Sequence, residues 1–80
     1  MNYSEFEEIY YETVNKATDL YGGNSEHFKN NLQKLQDGAD ESVSYEIIYS
    51  VALHESVKYQ QDFIFLNLAK TLFTQDSEKR

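Results

Sequence analysis

The sequence predicts an all-α domain of three helices, with a long C-terminal helix, bent or projecting, that pairs with a second copy of the chain. Three observations carry this. Residues 43–73 contain neither Pro nor Gly and place apolar residues at helical spacing. Gly22 with Gly23, and then Gly38, divide the preceding chain into two shorter segments, each with its own apolar stripe. Nowhere is there a sustained apolar–polar alternation bounded by turns, although residues 44–51 include some β-formers. A chain of 80 residues is one domain.

Residues 1–3 read as a lead-in. Ser4 and Glu7 match a capping box, in which a Ser at the cap and a Glu three residues later satisfy free amides of the first turn. The first helix is expected over about residues 5–21. Phe6, Ile9, Tyr10, Thr13, Val14, Ala17, Leu20 and Tyr21 fall on one face, and Glu5, Glu8, Glu12 and Asp19 fall almost opposite. Gly22 and Gly23 stop it, one of them expected in the left-handed conformation common after helices. The second helix is expected over about residues 25–37, capped by Asn24 or Ser25. Its apolar stripe is only Phe28, Leu32 and Leu35, which makes it the least stable of the three.

The third helix is expected over about residues 42–74, capped by Asp40 or Ser42. Tyr45, Ala52, Tyr59, Leu66 and Phe73 form one line at seven-residue spacing, joined on the same face by Ile48, Phe63 and Ala69. Val43, Ile47, Val57, Ile64, Phe65, Leu68 and Leu72 form a second line on the far side. From Phe63 onward the helix is apolar nearly all round, so it should be buried on more than one side. A membrane span needs about 18 or more consecutive apolar residues. Glu55, Lys58, Gln60, Gln61 and Asp62 interrupt the run, which excludes one here. Residues 75–80 are polar and expected to fray.

Helix length then meets domain size. Residues 43–73 would make a helix of about 46 Å, whereas a compact domain of this size has a radius of gyration near ~12 Å. The helix is therefore expected either to bend within residues 54–61 or to project and pack on a second copy. The all-round apolar end favours a homodimer through Tyr59, Phe63, Phe65 and Leu66, together with Ala69, Leu72 and Phe73. The first two helices could lie end to end along the third or side by side on its first half.

Charge limits the partners. Fourteen acidic residues against seven basic ones give a net charge of −7. Phosphate surfaces are bound by clustered Lys and Arg, so direct nucleic-acid binding and an anionic membrane surface are both excluded. A hydrophobic content of 40%, with 15% aromatic residues, is enough for collapse and argues against disorder. The absence of Cys removes disulfides and Cys-based metal staples, and fits a reducing compartment. With no basic-then-apolar N-terminal segment, the expected location is cytoplasmic.

No catalytic constellation emerges. His54 and Glu55 begin like a zinc-protease helix, but Lys58 stands where the second His is needed. His54 is read as structural, and His27 has no evident partner. Asp37, Asp40 and Glu41 lack the spacing of a calcium loop. Gly22 and Gly23 are not followed by the Lys and Ser or Thr of a phosphate loop. The chain is read as a non-enzyme, with no metal and no cofactor. Glu55, Lys58 and Asp62 read as an exposed charge triad, or as a register device within an apolar seam.

Two acidic stretches remain. Residues 1–15 carry four Glu and no Lys or Arg. Residues 36–57 carry Asp37, Asp40, Glu41, Glu46 and Glu55, again without Lys or Arg. Tyr3, Tyr11 and Tyr49 lie near these acids, and Tyr suits an interface anchor. The candidate partner-binding residues are Glu5, Glu8, Tyr11, Glu12 and Asp19, with Asp40, Glu41 and Tyr49. The expected function is a non-enzymatic inhibitor that covers a basic, nucleic-acid-binding surface of another protein. In size and charge this is analogous to phage inhibitors, antitoxins and immunity proteins. Two readings compete with it: acidity for solubility alone, and an adaptor or assembly chaperone whose long helix binds a partner helix. Salt separates the last from the first, because electrostatic capture weakens with ionic strength and helix-in-groove burial does not.

Overall fold

A computed structural model describes the backbone of residues 1–78 and the side chains of residues 1–74. The described chain is all-helical, with α1 over Tyr3–Tyr21, α2 over Glu26–Gly38 and α3 over Tyr45–Glu78. These segments form two antiparallel rods. α1 and α2 lie end to end as one bent N-terminal rod, and α3 is the other. Thr18 reaches Gln60 and Tyr21 reaches Ser56, while Phe28 meets Tyr49 further back along α3. The open choice between end-to-end and side-by-side packing is thus resolved in favour of the former.

The outcome is a rod of 58 × 20 × 16 Å with a radius of gyration of 16.9 Å. Compact packing would give about 12 Å. Of the two alternatives, a bend within residues 54–61 or a projecting helix, the bend is absent. α3 runs uninterrupted for 34 residues through the 54–61 region, and the bent element is the N-terminal rod. A partner rod of matching length removes the conflict between helix and globule. Polar residues expected to break α3 are tied to that rod instead. Asn31 Nδ2 donates to Glu55 Oε2 at 3.2 Å, and Thr18 Oγ1 donates to Gln60 Oε1 at 3.5 Å.

The helix ends differ from expectation in informative ways. Asn2, not Ser4, caps α1: its side-chain oxygen accepts from the Glu5 amide at 2.9 Å, and its Nδ2 donates to Glu5 Oε1 at 3.2 Å. Ser25 caps α2, accepting from the Phe28 amide at 3.1 Å while donating to the Gly22 carbonyl at 2.7 Å. α3 begins at Tyr45 rather than near residue 42. Asp40 and Ser42 are consumed in a turn, where Asp40 Oδ1 accepts from the Ser42 amide at 3.0 Å. Ser44 takes the capping role, its Oγ accepting from the Ile47 amide at 3.4 Å. At the other end α3 continues to Glu78, past the point where fraying was expected; Lys79 and Arg80 lie outside the described residues.

No described Gly is left-handed. Gly22 follows α1 with φ −72° and ψ 175°, donating to the Thr18 carbonyl at 2.7 Å. Its need for Gly is steric: a Cβ there would lie 2.5 Å from the Thr18 carbonyl oxygen. α2 ends where Gly38 and Ala39 were expected to end it, with Gly38 its last residue and Ala39 after it.

The core is a thin seam between the rods. Ala17, Phe28, Ile48 and Ala52 are its buried apolar residues, joined by buried Ser25 and Ser56. Small residues, Ala17 on α1 with Ala52 and Ser56 on α3, are buried between the rods. Ser56 Oγ donates to the Tyr21 carbonyl and accepts from Gln60 Nε2 at 3.1 Å, so the last turn of α1 is anchored on α3. On α3 the buried stripe advances by four residues, from Ile48 to Ala52 to Ser56 to Gln60, and then to half-buried Phe63. The seven-residue line expected as core drifts off this stripe by about 20° per heptad. Ala52 is buried, but Tyr45, Leu66 and Phe73 are left 55%, 63% and 72% exposed.

Candidate partner-binding surfaces

The outward face of α1 carries the first candidate surface. Glu5, Glu8, Glu12 and Asp19 are all exposed on one side of the helix, opposite buried Ala17. Glu5 has a second role, since it also closes the cap with Asn2. Beside the carboxylates, Tyr11 is 59% exposed and meets the ring of Tyr10 edge-on, with centroids 5.5 Å apart. Tyr3, Phe6, Glu7, Tyr10 and Tyr11 line a shallow depression of about 250 Å³ at the tip of the rod. Sequence reasoning assigned Phe6 and Tyr10 to the core and left Tyr3 outside the helix. The signal was present, because positions 3, 6 and 10 share one helical face once the cap is moved to Asn2.

The remaining candidate residues lie elsewhere. Asp40 and Glu41 are exposed in the turn before α3, at the opposite end of the rod from Glu5. Tyr49 is exposed, with its ring edge-on to Phe28 at 5.7 Å and tilted against Tyr45 at 6.0 Å. The structure therefore gathers Glu5, Glu8, Tyr11, Glu12 and Asp19 on one flank and separates them from Asp40, Glu41 and Tyr49. Chemically, the α1 flank offers carboxylate acceptors for Arg or Lys beside aromatic faces that take a cation.

The residues expected to meet a second copy also divide. Tyr59 stacks on Tyr21 with centroids 5.6 Å apart, and Phe63 meets the same ring at 6.1 Å, so both are engaged within the chain. Phe65, Leu66, Leu72 and Phe73 are exposed, and Ala69 is half-buried. His27, left without a partner by the sequence, sits edge-on to Tyr21 and Tyr59, at 4.9 and 4.8 Å. His54 is exposed on the side of α3 away from the N-terminal rod.

Among the described residues, no three His, Cys, Asp or Glu side chains come close enough to hold a metal ion. Among the same residues, no helix is long and apolar enough to cross a membrane. Glu55, Lys58, Tyr59 and Asp62 border a groove on the flank of α3, with Glu55 held by Asn31 of α2.

Comparison with known proteins gives one match. The family model described as the phage 80a gp11 protein covers residues 1–76. No curated protein and no solved structure matches the chain. With nearly its whole length covered, the chain belongs to the phage 80a gp11 protein family, a phage-associated family.

Proposed function

We propose that the chain is a non-enzymatic binding protein that acts in the cytoplasm as an inhibitor, covering a basic, nucleic-acid-binding surface of a partner protein with the flank of α1. One observation carries this most directly. Four exposed carboxylates, Glu5, Glu8, Glu12 and Asp19, lie in a row beside Tyr11 and the aromatic depression at the tip. No Lys or Arg lies within residues 1–15, and exposed Lys16 is the basic residue between Glu12 and Asp19. Such a row attracts a basic surface at long range, and the tyrosines add contact area once it has docked. Membership of a phage-associated family supports the reading, because phage products that disable nucleic-acid-binding proteins face this kind of target. The same molecule is proposed to pair with a second copy through α3, where Phe65, Leu66, Leu72 and Phe73 are exposed.

The test is competition. The chain is titrated into complexes of labelled DNA with basic DNA-binding proteins of phage and host, at low and at moderate salt. Displacement of DNA from one of them, weakening steeply as salt rises, is the expected result. Replacing Glu5, Glu8 and Glu12 together by Lys should weaken it by at least about a hundredfold, given roughly tenfold per lost charge contact. Displacement that is indifferent both to salt and to this triple change would remove the α1 flank from the mechanism.

A further inference from the structure

We propose that the outer face of α3 is a self-complementary seam on which a second copy of the chain packs with its own α3 antiparallel. This rests on the self-association proposed above, and adds to it the face used and the direction of pairing. The face is the one turned away from α1 and α2. At one end it presents Ile47 and Val51, 58% and 42% exposed. At the other it presents Phe65 and Leu72, 71% and 45% exposed, with half-buried Leu68 between them. The middle is polar: His54, Lys58 and Gln61. Together these positions alternate steps of four and three residues from 47 to 72, the spacing of a coiled-coil seam.

What commits the face to a second copy is its symmetry. The pattern is apolar, polar, apolar, and it is balanced about a point between Tyr59 and Gln60. An antiparallel copy turned about that point sets Ile47 against Leu72, Val51 against Leu68, His54 against Phe65 and Lys58 against Gln61. Val57, itself 50% exposed, then falls beside Ile64 of the second copy. Each contact occurs twice, as an isologous interface requires.

Charge selects the direction. In the antiparallel arrangement Lys58 comes level with Asp62 of the second copy. In a parallel one Lys58 faces Lys58. The N-terminal rod lies on the opposite side of α3 and does not obstruct either arrangement. The seam spans about 38 Å of helix. A strip one helix wide and that long sits at the lower edge of stable interfaces, so the dimer should dissociate on the order of micromolar concentration.

The chain has no Cys, so the pairing can be read by crosslinking. Val51→Cys and Leu68→Cys are made in separate chains, which are mixed and oxidised. A covalent dimer from the mixture, with little from either chain alone, is the expected result. Rapid crosslinking of Val51→Cys with itself would mean parallel pairing and would overturn the proposal. A dimer by light scattering with no covalent product from the mixture would overturn the seam while leaving self-association in place. A monomer at every concentration would overturn both, and would leave the face for a foreign helix. Phe65→Asp should weaken association at least about tenfold with unchanged helicity. Lys58→Asp should weaken it too, and adding Asp62→Lys in the same chain should restore it. At net charge −7 per chain, rising salt should strengthen this pairing, the opposite of its effect on capture of a basic partner.

Discussion

Asn2 decides how the surface of α1 is built. Two overlapping cap signals stand in the first residues, Asn2 with Glu5 and Ser4 with Glu7, and they differ in frame by two residues. The structure uses the first. Tyr3 thereby enters the helix and joins Phe6 and Tyr10 around the depression at the tip. Asn2→Ala should cost about 1 kcal/mol of stability in urea unfolding, whereas Ser4→Ala should stay within about 0.5 kcal/mol. A larger cost at Ser4 would restore the frame expected from the sequence. The two frames could not be ranked by residue type, since Asn and Ser cap about equally well. His27 was illegible for a different reason: its ring partners, Tyr21 and Tyr59, come from two other elements, and no local pattern announces them.

At the scale of elements, the joint between α1 and α2 is the critical construction. Gly22, Ser25 and Ser56 meet there: Ser25 bonds the Gly22 carbonyl, and Ser56 bonds the neighbouring Tyr21 carbonyl. Gly22→Ala would place its Cβ against the Thr18 carbonyl and should cost about 1–3 kcal/mol in equilibrium unfolding. Gly23→Ala meets nothing within 4 Å and does not need a positive φ, so it should be neutral or stabilising by up to about 1 kcal/mol. Equal losses at both positions would mean that conformational freedom, not close approach, fixes the joint. The helices themselves were legible from periodicity and from their Gly punctuation. The start of α3 was not, because Asp40, Ser42 and Ser44 are all competent caps and the turn fixed by Asp40 moved the role to the last of them. The buried face of α3 was legible at Ile48, Ala52 and Phe63, which were expected on one face and lie on the seam. Farther out, 3.6 residues per turn carries Leu66 and Phe73 away from it.

For the whole molecule, shape follows from pairing one long rod with another rather than wrapping it. The compact-globule scaling, which left α3 only a bend or a projecting end, fails because the first two helices together match its length. The candidate site divides accordingly: carboxylates close in sequence stay together on α1, while Asp40 and Glu41, distant in sequence, end at the other pole of a 58 Å rod. Small-angle scattering checks this scale. A monomer should give a radius of gyration near 16.9 Å. A dimer paired antiparallel along α3 should be thicker but scarcely longer, with a maximum dimension of about 65 Å, whereas a tip-to-tip dimer of 58 Å rods should approach about 115 Å. The thin seam also governs how the molecule responds to heat and cold. Only Ala17, Phe28, Ile48 and Ala52 are buried apolar residues among those described, while Phe6, Ile9, Val14, Leu32, Leu35 and Phe63 are half-buried, so the heat-capacity change should fall below the usual ~12–15 cal/mol/K per residue. The stability curve is then shallow, and the chain melts gradually over a broad range of temperature instead of failing at a sharp one.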